Sequence, residues 1–189
     1  MLHDVVLSSP ASRRKMRTSR AVKRWGVLFG LTMLLCGAWG CPNSGLVGSV
    51  YHKGDIRYRV GEVESGWRVV RVTENDIAYQ HDKYNAIIQI NSTCRQDYED
   101  VPLRILTDHL FYGLTHRKVL VQERRRIDAR DALYTELTAR MDGRPVKAAM
   151  LVLKKNRCIY DMSYITVPWN FGLGVGDFYR IIDGFRVLS

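Results

Sequence analysis

Five histidines, four cysteines and an aspartate set among apolar residues are where this 189-residue sequence would have to do chemistry. His3, His52, His81, His109 and His116 show no His-Glu-x-x-His spacing and no cluster with cysteine, so the ligand spacing of a metal site is missing. His109 and His116 lie seven apart and would share a helix face, but Gly113 stands between them as a terminator. They read as surface or partly buried structural residues. There is no Gly-x-Ser-x-Gly elbow for a hydrolase. Asp161 falls in a strand-like run, where burial would perturb its pKa and alternation would equally turn it to solvent. An enzyme would need a cleft joining Asp161 to a histidine and a nucleophile within hydrogen-bond reach. GLGVG at 172–176 lacks the GxxxxGK[ST] pattern and reads as a flexible connector. The sequence therefore assigns no catalytic residue, no metal ligands and no cofactor.

Two of the cysteines, Cys36 and Cys41, close an N-terminal stretch with its own pattern. Seven Lys/Arg lie within residues 13–24, and WGVLFGLTMLL (25–35) carries no charge. A basic region, an apolar run of 7–15 residues and small residues after it make a secretory signal. Even extended through Gly40 the run is short of the ~20 residues that span a bilayer, which leaves a retained anchor as the alternative. Met16 offers an internal start, and Ser12-Arg13-Arg14 is a weak twin-arginine pattern. The stretch resembles a bacterial lipoprotein signal peptide, whose lipobox ends in the cysteine to be lipidated. Gly40 before Cys41 fits that pattern; Ala38 and Trp39 depart from it, keeping a plain secretory signal open. Cys36, preceded directly by leucine, departs further. The resemblance implies a diacylglycerol on the Cys41 sulfur and an acyl group on its amine. Several chains anchor stably at about 0.8 kcal/mol per buried CH₂. The expected organisation is a signal peptide over 1–40, a flexible tether over 41–50 and one domain over 51–189.

Charge follows the same division. Residues 1–40 hold seven Lys/Arg against Asp4, a balance of +6; residues 41–189 hold 22 against 18 Asp/Glu, +4. A nucleic-acid binder concentrates charge on its folded domain, so nucleic acid is not an expected partner. Arg124-Arg125-Arg126 is the densest basic run of the domain. On a strand Arg124 and Arg126 point one way and Arg125 the other. The pair would meet anionic head groups or, as the preferred reading, form a solvated face balanced by Glu123 and Asp128. Trp169 and Phe171, beside the glycine run, would rim a binding groove. Cys94 and Cys158 are an even pair in an exported chain, which suggests a disulfide; two buried thiols are the alternative.

The elements that would position these residues alternate at period two. IRYRVG (56–61) and WRVVRV (67–72) read as strands flanking a turn at Gly61 and Gly66. DIAYQH (76–81) and AIIQINST (86–93) pair through residues 82–85. Over 99–114 Asp100 caps a helix, with Pro102 in its first turn and Leu103, Leu106, Leu110 and Leu114 as its stripe. KVLVQERRRI (118–127) is strand-like. ALYTELTARM (132–141), Asp142-Gly143 and RPVKAAMLVL (144–153) form a hairpin on the favoured two-residue turn. Lys154-Lys155-Asn156 turns the chain into 157–167, which Pro168 ends. A last helix over 176–188 places Phe178, Ile181, Ile182 and Phe185 on one face and Arg180, Asp183 and Arg186 on the other. Consecutive strands with short turns imply an α+β class, an antiparallel sheet with helices packed on it.

This order resembles the αβα sandwich of the PsbP-like family, which includes a photosystem II extrinsic protein, the periplasmic protein DcrB and a Ran-binding nuclear import factor. The residues that carry it are Gly66-Trp67, Ala129-Arg130-Asp131-Ala132, Asp142-Gly143 and the closing Phe178, Ile182 and Phe185, within residues 56–188. The chain is also similar to bacterial lipoproteins joining a lipobox to such a domain. The resemblance implies a non-catalytic binding or assembly-support module. It would face the periplasm, held to a membrane by its lipid anchor, with an envelope protein as partner. A small-molecule or lipid-binding accessory of a transporter is the second expectation, and an enzyme the third.

Overall fold

A computed structural model describes residues 44–73, 75–94 and 100–188. The signal segment, Cys36 and Cys41 lie outside them. In chain order come strands β1 (Ser44–Val47), β2 (Val50–Lys53), β3 (Ile56–Arg59), β4 (Arg68–Val70), β5 (Ile77–His81) and β6 (Ala86–Cys94), then helix α1 (Leu103–His109). After these come β7 (Leu114–Ile127), β8 (Arg130–Met141), β9 (Arg144–Lys155) and β10 (Cys158–Thr166), then helix α2 (Phe171–Gly184) and β11 (Arg186–Val187).

Three two-residue turns drive the large sheet. Asp128-Ala129, Asp142-Gly143 and Asn156-Arg157 all take positive φ at both positions, the requirement of the turn whose twist matches antiparallel strands. They join β7 to β10 in consecutive pairs, and β6, β5 and β4 continue beyond β10 to give the order β4-β5-β6-β10-β9-β8-β7. The last turn is thus one residue later than Lys154-Lys155-Asn156 suggests, because Lys155 still pairs with Cys158. β9 is buried from Ala148 to Leu153, a continuous apolar run that marks a strand covered on both faces. On one face Ala149, Leu151 and Leu153 pack with Phe178, Ile181 and Ile182 of α2. On the other, Val152 meets Leu106 of α1, and Ala148 and Met150 meet Phe111, Leu137 and Val146. β7 is the exposed edge. Its register is interrupted between Thr115 and Lys118 and again between Val119 and Val121, and its charges together with these breaks are devices that discourage edge-to-edge pairing.

The two helices differ from expectation at their ends. Asp100 does not cap α1: Pro102 occupies the N-cap with no side-chain bond. The helix stops after His109, Gly113 turns the chain at φ 81°, and Leu114 opens β7 instead of closing the helical stripe. GLGVG is no connector but the first turns of α2. Gly174 explains why: a Cβ there would come within 2.9 Å of the Tyr164 hydroxyl and 3.2 Å of Trp67. Its glycine serves close packing, and the helix tolerates the roughly 1 kcal/mol penalty because its inner face is buried. α2 ends at Gly184, and Arg186 lies on β11 rather than on a helix face.

A second sheet, in the order β1-β2-β3-β11, begins at Ser44, inside the segment expected to be a tether. A buried carboxylate ties it to the large sheet. Asp76, its side chain only 3% exposed, accepts from Tyr51 Oη (3.2 Å), Tyr58 Oη (3.1 Å), Lys53 Nζ (3.0 Å) and Ser92 Oγ. The first three come from β2 and β3, and Ser92 from β6. A second buried carboxylate, Asp177 on α2, accepts from the Glu64 amide and Trp67 Nε1 at 2.9 Å each and from Arg180 at 2.8 Å. It holds the 61–67 segment on the helix. Gly61 and Gly184 cross there so closely that a Cβ on Gly61 would overlap the Arg180 carbonyl.

Stranding hydroxyl donors and removing a buried charge is costly. Asp76→Ala is expected to lower unfolding free energy by about 3–5 kcal/mol in urea titration. Lys53→Ala, which removes a half-exposed partner, should cost less than about 1 kcal/mol. Equal losses would show that Asp76 does not organise this junction.

Candidate functional site

Asp161 on β10 lies opposite Asn91 on β6 and ends a chain of amides. Gln89 Nε2 donates to Asn75 Oδ1 (3.2 Å), Asn75 Nδ2 to Asn91 Oδ1 (2.9 Å), and Asn91 Nδ2 to the Asp161 carboxylate (2.8 Å). Burial pushes the Asp161 pKa up to about 6; the Asn91 bond opposes the shift and Asp76 adds to it. The histidine of β5, His81, pairs with Ala86, five positions along β6 from Asn91, and points to the opposite face. It stacks on Tyr84 at 3.7 Å and meets Trp67 edge-on, in the layer beneath α2. His52 lies on β2, His109 ends α1 and His116 is on the exposed edge β7. Among the described residues, the side chain bonded to the Asp161 carboxylate is the Asn91 amide, not a histidine. Among the described residues, no group of three or more His, Cys, Asp or Glu is arranged to hold a metal ion.

The basic run divides as strand alternation requires. Arg124 and Arg126 project to solvent and share Asp131, at 3.9 and 3.3 Å. Arg125 turns inward, 3.7 Å above the Tyr134 ring and 5.2 Å from that of Tyr179, with Glu123 at 2.8 Å. Asp128, expected to balance the run, pairs instead with Lys155 at 2.6 Å. From Arg125 a polar row continues beside α2. Tyr134 Oη donates to Glu136 (2.7 Å), the Tyr134 and Tyr179 hydroxyls are 2.9 Å apart, and Lys147 pairs with Glu136 at 3.2 Å. Burial works to raise the Glu136 pKa, but the bonds from Tyr134 and Lys147 win and hold it below the usual carboxylate range. Burial raises that of Tyr134. Every member has a partner within the row, so its effect is to fasten α2 to the sheet. Sequence reading missed this row because its members come from four separate elements.

The two aromatic residues expected at a groove rim separate. Trp169 is 73% exposed, on a single 3₁₀ turn at Pro168–Asn170. Phe171 is buried, 5.4 Å from the Tyr164 ring and capped by the Lys147 ammonium at 3.8 Å; it belongs to the core because α2 starts there. Trp169 and the Arg124/Arg126 pair stand at opposite ends of the sheet, since the chain reaches one end at Ile127 and the other at Thr166. Near the Trp169 end an open groove of about 660 Å³ is lined by Ile87, Met141, Pro145, Val146 and Ile165 together with Gln80, Asp142 and Arg144. At the other end a basic recess of about 230 Å³ is lined by Arg130, Lys154, Lys155, Asn156 and Arg157. It is formed by the β7–β8 and β9–β10 turns; the KKNR run (154–157) was its sequence signal, read only as a turn.

Cys94 and Cys158, directly opposite in the β6–β10 register, are joined by a disulfide. It closes a separation of 64 residues, which is worth about 4 kcal/mol in the chain-entropy account.

The architecture is that of an α+β protein, mostly antiparallel sheet with two helices, consistent with a PsbP-like fold. No protein-family model matches the chain, and no curated protein matches it. Among solved structures it is similar to cyanobacterial PsbP (CyanoP) from Synechocystis, with a TM-score of 0.51 and 12% identity, over 81% of this chain and 97% of that one. It is also similar to LpqN, involved in cell envelope biogenesis of Mycobacterium tuberculosis, with a TM-score of 0.50 and 8% identity, over 70% and 84% of the two chains. At such identities the likeness is one of fold.

A carboxyl whose pKa rises on folding stabilises the fold at low pH and penalises it as pH climbs. Below about pH 4 both states hold the proton; between 4 and 6 the unfolded chain alone releases it. At pH 7 Asp161→Asn is expected to be more stable than the parent by about 2–3 kcal/mol, and the gap to close by about pH 4. Denaturant titrations at the two pH values check this; a gap independent of pH would rule out a proton-retaining Asp161.

Proposed function

We propose that this chain is an exported, lipid-anchored envelope protein whose single domain binds another envelope component without catalysing a reaction. The observation that carries the reading is the Cys94–Cys158 disulfide, since such bonds persist in oxidising compartments outside the cytosol. The N-terminal pattern of basic residues, an apolar run and Cys41 agrees with it. So does a fold shared with an envelope-biogenesis protein. Among the described residues no helix is long and apolar enough to cross a membrane, and attachment is assigned to the lipids on Cys41.

Binding at the surface is favoured over binding in the interior. Tyr58, Tyr134, Tyr160, Tyr164, Phe178 and Phe185 are all fully buried and fill the layer between the large sheet, α2 and the small sheet. Tyr58, Tyr160 and Phe185, and Tyr164 and Phe178, meet ring to ring at 5.2–6.1 Å, the spacing of packed aromatic pairs. The open groove at the Asp142-Gly143 end, with apolar Ile87, Met141, Pro145 and Ile165 in its lining beside polar Gln80, Asp142 and Arg144, is the better candidate for a partner.

Intact-mass measurement of the protein extracted from membranes tests the reading. The expected species begins at Cys41, carries acyl chains and gains two hydrogens on reduction. An unacylated species that retains residues 17–40 would overturn the lipid anchor.

A further inference from the structure

The start of the small sheet and the basic recess lie at one end of the molecule. Ser44 pairs with Lys53, and the Lys53 ammonium rests on Asp76. Asp76 leads into β5 and also takes Ser92 of β6, two residues before the Cys94–Cys158 bridge. From the other side, the Val187 amide of β11 donates to Asp128 (2.8 Å) in the β7–β8 turn. The chain thus enters the folded domain at the end of the large sheet that carries turns 128–129 and 156–157.

That end is cationic. Two adjoining recesses, of about 230 and 340 Å³, share Arg130 and Lys154 and add Lys155 and Arg157 on one side and Arg126 and Asp131 on the other. With Asp128 included, five cations face two carboxylates, a balance of +3. Asp131 is taken by Arg126 and Asp128 by Lys155, while Arg130 and Arg157 are exposed and carry no acidic partner among the described residues.

We propose that this end docks on an anionic membrane surface, with Arg130 and Arg157 meeting the phosphates of acidic phospholipids. The inference rests on lipidation at Cys41 and follows from length. Cys41 precedes β1 by three residues, and three residues reach about 10 Å at full extension. The Debye length at physiological salt is ~8 Å. An anchor at Cys41 therefore holds this end where a charged surface is felt, and the opposite end, with the apolar groove and Trp169, faces away. At ~1 kcal/mol per basic residue near an anionic leaflet, each one strengthens docking about fivefold.

Arginine footprinting on the full-length lipidated protein tests this. The protein is reconstituted into vesicles of phosphatidylcholine alone or with one-third phosphatidylglycerol, treated with phenylglyoxal and mapped by mass spectrometry. On the anionic vesicles the reactivity of Arg130 and Arg157 is expected to fall about fivefold or more, with recovery at high salt. Arg140 and Arg144, beside the opposite Asp142-Gly143 turn, should react equally on both. In Arg130→Glu/Arg157→Glu the protection of Arg126 should disappear. Equal reactivity of Arg130 and Arg157 on the two vesicles, or protection at Arg140 and Arg144 instead, overturns the proposal. Both outcomes are independent of the mass measurement that decides lipidation.

Discussion

The buried Asp76 carboxylate is the constraint from which much of the architecture follows. A charge withdrawn from water needs several donors in fixed positions, and here they come from three strands of two different sheets. The small sheet therefore has one position over the large one, set by hydrogen-bond geometry as well as by apolar packing. The same arrangement keeps its phenols protonated: burial, with Asp76 adding to it, pushes Tyr51 up to about 12 and raises Tyr58 further. Asp177 repeats the device on α2, where it holds the 61–67 segment against the helix.

Period-two patterning with a local turn signal was legible in the sequence. The Asp142-Gly143 hairpin and the β5–β6 pair follow it, because both depend on residues adjacent in the chain. The last helix was legible on its apolar face and not at its start. Glycines signal flexibility until the partner surface is known, and only Tyr164 and Trp67 make Gly174 a packing residue. Phe171 moved from a supposed groove rim to the core for the same reason. Ser44 looked like tether because a four-residue edge strand has no periodicity of its own; its pairing with Lys53 is what defines it.

Charge was legible as a run and not as a surface. Alternation separated Arg125 from Arg124 and Arg126 correctly, but it gave no hint that Arg125 would lie over two tyrosines. Asp131, beyond the turn, proved to be the acid beside the outward pair, since the tight hairpin sets it directly opposite Arg126 and diagonal to Arg124. The basic recess joins turns more than 25 positions apart, and no linear window contains it. Asp161 is the one chemistry-bearing residue whose perturbation was anticipated, and the histidine it would need lies across the sheet.

The first and last strands of the described chain belong to one sheet, with β11 closing against β3. Synthesis delivers them at opposite times. Until residues 186–188 emerge, Tyr58 has a neighbouring strand on one side only, Asp128 lacks the Val187 amide, and the layer holding Phe185 stays open. Contacts that close only between distant ends slow folding. The small sheet is thus the late-closing part of the fold, whereas β7 to β10, joined by two-residue turns, need no residue beyond Thr166 to pair.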